Sequence, residues 1–250
     1  MSIPLNKYLS NAGICSRRKA VEYIKKGLVT VNGIIIKEPG YKVILKDKVA
    51  FKNRIIKGEQ KLYMLINKPK DYITTTVDPK GRRTVIDLIR GNVNARIYPV
   101  GRLDRMTTGV LLLTNDGDLA QKLAHPKYEV KKIYSVRLDR PLKSDDLTAV
   151  YKGIVLKDGL IKADKINYIA GKNKNHIRIQ IHSGKNRVVR RIFEHLGYKV
   201  LKLDRINYAG LTKRGLPIGR WRSLTATEVT QLKAQGETER KEVKKRKDKK

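Results

Sequence analysis

Residues 98–113 read YPVGRLDRMTTGVLLL, followed by Thr114 and Asn115. Gly101 and Gly109 bracket RLDRMTT, the composition of a loop that turns tightly and enters a strand, VLLLT. The loop sets one carboxylate, Asp104, between Arg102 and Arg105 in a strongly cationic chain. A carboxylate at a strand entrance, within reach of whatever a positive surface attracts, is the candidate for chemistry.

The same strand signature recurs on both sides of this segment. LYMLINKP, YITTT, KIYSVRL, INYIA, HIRIQIH and VLKLDRI are short runs rich in β-branched and aromatic residues. Helical segments punctuate them: Ser144 can cap DDLTAVYKG, residues 186–196 read as a helix ended by Gly197, and Thr225 with Glu228 makes a capping box for a last helix. NDGD at 115–118 is a turn leading into a helix. Strands and helices do not alternate strictly, so the expected class is α+β with a mixed, mainly antiparallel sheet. Neither GxGxxG nor GxxxxGK[ST] occurs, and nucleotide-cofactor chemistry has no support.

The 250 residues hold 57 Lys and Arg against 23 Asp and Glu, a net charge of +34. The natural partner is a large polyanion, nucleic acid first. Residues 234–250 hold eight basic and four acidic residues, leaving a net +30 on the rest, so the charge belongs to the folded part. No amphipathic basic helix or lipidation signal points to a membrane. One cysteine, Cys15, excludes an intramolecular disulfide framework, and the first thirty residues lack a secretory apolar run, so the expected location is the cytoplasm. The four histidines sit at no metal-ligand spacing, and no structural metal is expected.

At the N-terminus, Leu5, Tyr8, Leu9 and Ala12 fall at helical spacing before Gly13. Ser16 caps a second helix in which Ala20, Val21 and Ile24 form the buried stripe and Gly27 the stop. That helix begins with Arg17, Arg18 and Lys19, three cations at the positive end of the helix dipole, a placement that an anion such as phosphate relieves. Asn32-Gly33 between two β-branched runs marks a two-residue hairpin. The order helix, helix, hairpin, with LNKYLSNAGICSRRKAVEYIKKGLVTVNG as its text, resembles the S-four-like RNA-binding domain over roughly residues 3–50. KNRIIKGEQK at 52–61 breaks the apolar periodicity and places a boundary near Gly58. The expected division is an RNA-binding domain over 1–58, a catalytic domain over 59–230 and a basic disordered tail over 231–250, whose segment GETERKEVKKRKDKK is either a plain extension or an aid to RNA affinity.

In GKNRVVRRIFEHLG, Val189, Ile192, Phe193 and Leu196 form one helical face, and Arg187, Arg190 and Arg191 an adjacent one. With Lys185 this stripe can clamp a phosphate and pair one arginine with a buried carboxylate. GRLDRMTTGVLLLTNDGDLAQKLAHP, KKIYSV and GKNRVVRRIFEHLGYKVLKLDRI together closely resemble the RsuA/RluB family of bacterial ribosomal RNA pseudouridine synthases, from the N-terminal module to about residue 228. The resemblance implies that Asp104 is the catalytic aspartate, that Tyr134, following Lys132, lies against the target base, and that Arg190 is the ion-pair partner of Asp104. One departure is visible: the residue before the VRR element, often Gln in the family, is Val188.

The resemblance further implies conversion of uridine to pseudouridine, with no cofactor. The carboxylate can attack C1′, add to C6 or remove the C2′ proton, and the family favours the last, glycal route. The target base must be flipped or unstacked to be reached. Arg17, Arg18, Lys19, Arg102, Arg105, Lys132, Lys185, Arg187 and Arg191 are the expected RNA contacts. The expected partner is 23S rRNA or a ribosomal assembly intermediate, bound by a monomer. The alternatives are a 16S rRNA enzyme and a non-catalytic rRNA-binding or assembly protein.

Overall fold

The protein is described here by a computed structural model covering residues 2–235. Its backbone forms two compact units, one made of residues up to 62 with Asn94–Ile97 and Asn115–Gly117, the other of Tyr63–Val93, Tyr98–Thr114 and the residues from 118 on.

In the first unit β1 (Ser2–Pro4) leads into α1 (Leu5–Asn11) and α2 (Arg17–Lys25), followed by the short strands β2 (Val29–Val31), β3 (Ile34–Ile35), β4 (Lys42–Ile44), β5 (Val49–Phe51) and β6 (Arg54–Ile55). Ser16 caps α2 as its sequence implies, its hydroxyl accepting the Lys19 amide at 3.1 Å. Asn32 and Gly33 both take positive φ, +52° and +85°, the two-residue turn whose twist matches that of the strands it joins. The strands pair in the order β3-β2-β5-β6, and β1 pairs with β4. Leu5, Leu9, Ala20, Ile24, Val29, Val31, Val43 and Val49 close the core of this unit.

The second unit is built on a nine-stranded mixed sheet. Its strands are β7 (Tyr63–Lys68), β8 (Tyr98–Pro99), β9 (Thr108–Thr114), β10 (Lys132–Leu138), β13 (Lys165–Tyr168), β14 (His176–Ile181), β15 (Val200–Tyr208), β16 (Leu211–Thr212) and β17 (Trp221–Ser223), with a separate hairpin of β11 (Ile154–Leu156) and β12 (Gly159–Ile161). The order is β13-β14-β10-β15-β9-β7-β17, with β8 on β9 and β16 on β15. All pairs are antiparallel except β9 with β15, where Thr108 faces Asp204 and Gly109 faces Arg205. The class is α+β, with α3 (Gly117–Ala124), α4 (Ser144–Lys152), α5 (Val188–His195) and a last helix, α6, over 226–235. The apolar run of β9 is buried along its length because both faces are covered; Val110 and Leu112 join Leu119, Leu123 and Tyr208 in one core cluster.

The parallel contact depends on Gly109. Its φ is +108°, and a Cβ there would lie 2.2 Å from the Arg205 carbonyl oxygen.

Four local expectations differ from the fold. YITTT is not a strand: only Ile73 makes a bridge, to Thr84, because Thr74 turns its hydroxyl onto a distant loop described below. Ser144 is the first helical residue of α4 rather than its cap; Lys143 takes that position and makes no side-chain cap bond. α5 begins at Val188, two residues later than the pattern implies, because Arg187 adopts the left-handed region at φ +49°, and Val188 rather than Leu196 completes its buried face. Residues 231–235, expected as tail, continue α6, since Leu232 is fully buried. The rest of the tail, 236–250, lies outside the described residues. The capping box of α6 forms as expected, Thr225 Oγ1 accepting from the Glu228 amide at 3.2 Å and Glu228 from the Thr225 amide at 2.9 Å.

Candidate active site

Asp104 stands in the loop that enters β9, with its side chain about one-third exposed. Three contacts fix the backbone of that loop. Thr107 donates its amide to the Asp104 carbonyl at 3.0 Å. Thr74 grips Leu103 from both sides, its hydroxyl donating to the Leu103 carbonyl at 2.8 Å and accepting the Leu103 amide at 3.2 Å. Lys68, fully buried at the end of β7, directs its ammonium to the carbonyls of Pro69, Asp104, Arg105 and Thr107 at 3.0, 3.2, 3.2 and 2.9 Å. Burial pushes the Lys68 amine down to about 8, against the pull of the Asp104 and Asp71 carboxylates. A lysine with four carbonyl acceptors is a tether for the loop, not a surface cation.

Two guanidinium groups approach the Asp104 carboxylate. Arg190 Nε lies 3.9 Å from Oδ2 and Arg187 Nη1 lies 3.8 Å from the same oxygen. These are ion-pair distances longer than a hydrogen bond. Arg190 is nearly buried, donates from Nη1 to the Val200 carbonyl at 3.2 Å, and leaves Nε without a hydrogen-bond partner among the described residues. Burial lowers its affinity for the proton, as does Arg187 beside it, while Asp104 and Glu194 raise it. Arg190 thus takes its expected place near Asp104, and Arg187, expected among the RNA contacts, shares the carboxylate.

Asp104, Arg187, Tyr134 and Arg205 line one cleft of about 140 Å³. Tyr134 is 8% exposed and faces Arg205 across the β10–β15 ladder. Leu203, Val188 and Val189 supply apolar walls. A cleft with an apolar wall, an aromatic ring and a carboxylate facing arginines suits a planar, polar ring attached to a sugar-phosphate chain.

Comparison with known proteins agrees with this geometry. Residues 62–195 match the family described as RNA pseudouridylate synthase, and residues 3–49 match the S4 domain family. The chain is 43% identical, over 92% of its length and 95% of the relative's, to the ribosomal large subunit pseudouridine synthase B of Bacillus subtilis. It belongs to the RNA pseudouridylate synthases. It is also 35% identical to the dual-specificity RNA pseudouridine synthase RluF of Escherichia coli K12, over 92% of this chain and 78% of that one. A crystal structure of a pseudouridylate synthase superposes with a TM-score of 0.66 at 27% identity, covering 92% of this chain and all of that one. The reading of the chain as a non-catalytic RNA-binding protein gives way to that of an enzyme that isomerises uridine in RNA.

The other cations expected to contact RNA are placed variously in this synthase. Arg102 is exposed at the cleft, whereas Arg105 is exposed but paired with Asp71 at 2.8 Å. Lys132 donates to the His182 carbonyl at 2.7 Å, tying β10 to the loop before α5. Lys185 bonds the Asp158 carbonyl, and Arg191 clamps the Asp158 carboxylate with two bonds of 2.9 Å. These three hold the loop and helix that present Arg187 and Arg190. Arg17 and Arg18 are exposed at the start of α2, and Lys19 pairs with Glu22 at 2.6 Å.

Lys68, Thr74 and Arg205 carry no motif of their own. Lys68 alone had a signal available, a single lysine closing an otherwise apolar strand run. Among the described residues no helix is long and apolar enough to cross a membrane.

Proposed function

We propose that the protein isomerises a specific uridine of large-subunit 23S rRNA to pseudouridine in the bacterial cytoplasm, acting as a monomer, with Asp104 as the catalytic carboxylate. The observation that carries this reading is the convergence of Arg187 and Arg190 on Asp104, whose carboxylate shares a cleft with Tyr134. The strong likeness to a large-subunit synthase supports the choice of rRNA. Arg190 and Arg187 approach the same carboxylate oxygen, Oδ2, at ion-pair distances.

In the reaction the C1′–N1 bond breaks, the base turns within the cleft, C1′ joins C5, whose proton is released, and N1 takes up a proton. Asp104 starts this by attack at C1′, by addition to C6 or by taking the C2′ proton. Tyr134 stacks on the detached base and keeps it from leaving. The base enters flipped from its helix or loop, at a cost of roughly a few kcal/mol, offset by phosphate contacts of the exposed cations, Arg17, Arg18 and Arg102 among them. The N-terminal unit serves as the RNA-binding domain, and the substrate is either free rRNA or an assembly intermediate.

Pseudouridine mapping of 23S and 16S rRNA from cells with and without the protein tests this. The expected result is one site lost from 23S rRNA, restored by the wild-type protein but not by Asp104→Asn, which binds RNA within about twofold of wild type. A lost site in 16S rRNA overturns the substrate, and restoration by Asp104→Asn overturns the catalytic assignment.

A further inference from the structure

Arg205 is 2% exposed, yet it lines the same cleft as Asp104. Its Nε donates to the Val110 carbonyl at 2.8 Å, and its guanidinium carbon sits 4.6 Å from the centre of the Tyr208 ring. Nη2 is buried with no hydrogen-bond partner among the described residues. The carboxylate of the cleft, Asp104, lies against Arg187 and Arg190 instead. A buried guanidinium whose Nη2 has lost its water without gaining a hydrogen-bond acceptor is left short of a partner. Such a group is held ready for an oxygen that arrives with the substrate.

We propose that Arg205 is a second catalytic residue, whose terminal guanidinium nitrogens donate to a ring carbonyl oxygen of the flipped uracil and stabilise the negative charge that gathers there when the glycosidic bond breaks. This rests on the reading of the cleft as the uridine site. A base stacked on Tyr134 brings its edge beside the cross-strand neighbour of that tyrosine, which is Arg205. When the C1′–N1 bond breaks, its electron pair stays with the base and spreads from N1 onto O2 and O4. The base turns, C5 forms the new bond to C1′, the C5 proton departs and N1 takes up a proton, so that the product has the composition of the substrate. A half-turn about the N3–C6 axis exchanges N1 with C5 and O2 with O4. One fixed donor therefore meets a carbonyl oxygen both before and after the turn. The bond to Val110 and the Tyr208 face lock the guanidinium plane, so no reorganisation accompanies the charge development.

A phosphate oxygen of the target nucleotide is the other acceptor a guanidinium could await, and kinetics separate the two. The full-length protein is assayed in single turnover, in saturating excess over rRNA purified from cells that lack it. Arg205→Met is expected to lower the rate by on the order of 10²–10³-fold, with RNA affinity and its salt dependence unchanged, and Arg205→Lys to recover part of the loss. An unchanged rate, or weaker affinity with a salt slope smaller by about 0.7–0.9, overturns the proposal; the second result marks a phosphate contact. Should Arg205→Met fail to fold, Arg205→Lys decides with rRNA carrying 5-fluorouridine, whose base anion is intrinsically more stable and whose C5 has no proton to release, so the rate is read as disappearance of the 5-fluorouridine nucleoside. There its deficit relative to wild type shrinks, and an undiminished deficit overturns the role. Asp104→Asn in parallel keeps the two readings apart: if it is active the cleft reading falls, and if it is inactive while Arg205→Met is active only the role of Arg205 falls.

Discussion

The loop that carries Asp104 and the start of α2 both gather cations, but they are built differently. At the start of α2, Arg17 and Arg18 point to solvent, and the partner of Lys19 is Glu22, three residues on. Around Asp104 the loop is held by Lys68 and Thr74, and the carboxylate is met by Arg187 and Arg190. Two of these, Lys68 and Thr74, are buried, and all come from other elements. Exposed cations are screened and mobile and supply affinity through phosphates. Buried polar groups have one geometry and cannot be exchanged cheaply, which is what chemistry at one atom requires. Substitutions in the first region should therefore change binding, and in the second stability and rate.

The largest effect is expected at Gly109, where a Cβ meets the Arg205 backbone at 2.2 Å. Gly109→Ala should cost about 4 kcal/mol or more, read as loss of the thermal transition of the larger unit; a change under 1 kcal/mol would show that β9 and β15 tolerate separation at their parallel contact.

Lys68→Met comes next. It leaves the Asp104, Arg105 and Thr107 carbonyls without their shared donor and should slow single turnover by on the order of 10²-fold, with RNA affinity unchanged in a filter-binding assay. The pH dependence has a defined sign. The amine titrates at about 8 in the folded protein and at 10.5 in its reference state, so between these values the folded state binds fewer protons and the group's contribution to stability rises with pH. Loss of the ammonium charge weakens the hold on the loop in the same window, so wild-type kcat should fall above pH 8. That alkaline limb should be missing from the profile of Lys68→Met.

Thr74→Val removes both bonds to Leu103 at nearly constant volume. A loss of about 1–2 kcal/mol in denaturant unfolding and a rate about tenfold lower are expected.

The mildest change is the pair Arg17→Ala and Arg18→Ala. Their combined loss should leave the folding transition and the saturated rate intact and reduce the slope of log affinity against log salt by about 1.5. A drop in saturated rate would mean that this helix start takes part in positioning the base, and the contrast between the two regions would be weaker than drawn.

Much of the fold follows from local pattern. Ser16, Gly27 and Asn32-Gly33 act within a few residues of themselves, and the elements they delimit appear where their chemistry puts them. The strand runs were legible for the same reason. YITTT was not, because Thr74 spends its hydroxyl on Leu103, 29 residues away, and no window of sequence contains that partner. The start of α5 was displaced by the left-handed backbone at Arg187, which turns that side chain toward Asp104.

By itself, then, the amino-acid sequence determined the cationic character, the N-terminal helix-helix-hairpin order, the strand-rich second unit and the prominence of Asp104, all of which rest on composition and on neighbours close along the chain. Only the tertiary structure decided that Arg187 shares the carboxylate with Arg190, that Lys68 and Thr74 hold the loop, and that Arg205 lies buried opposite Tyr134. Those contacts join residues between 29 and 86 positions apart through strand register and burial, and such pairings leave no periodic trace in the chain.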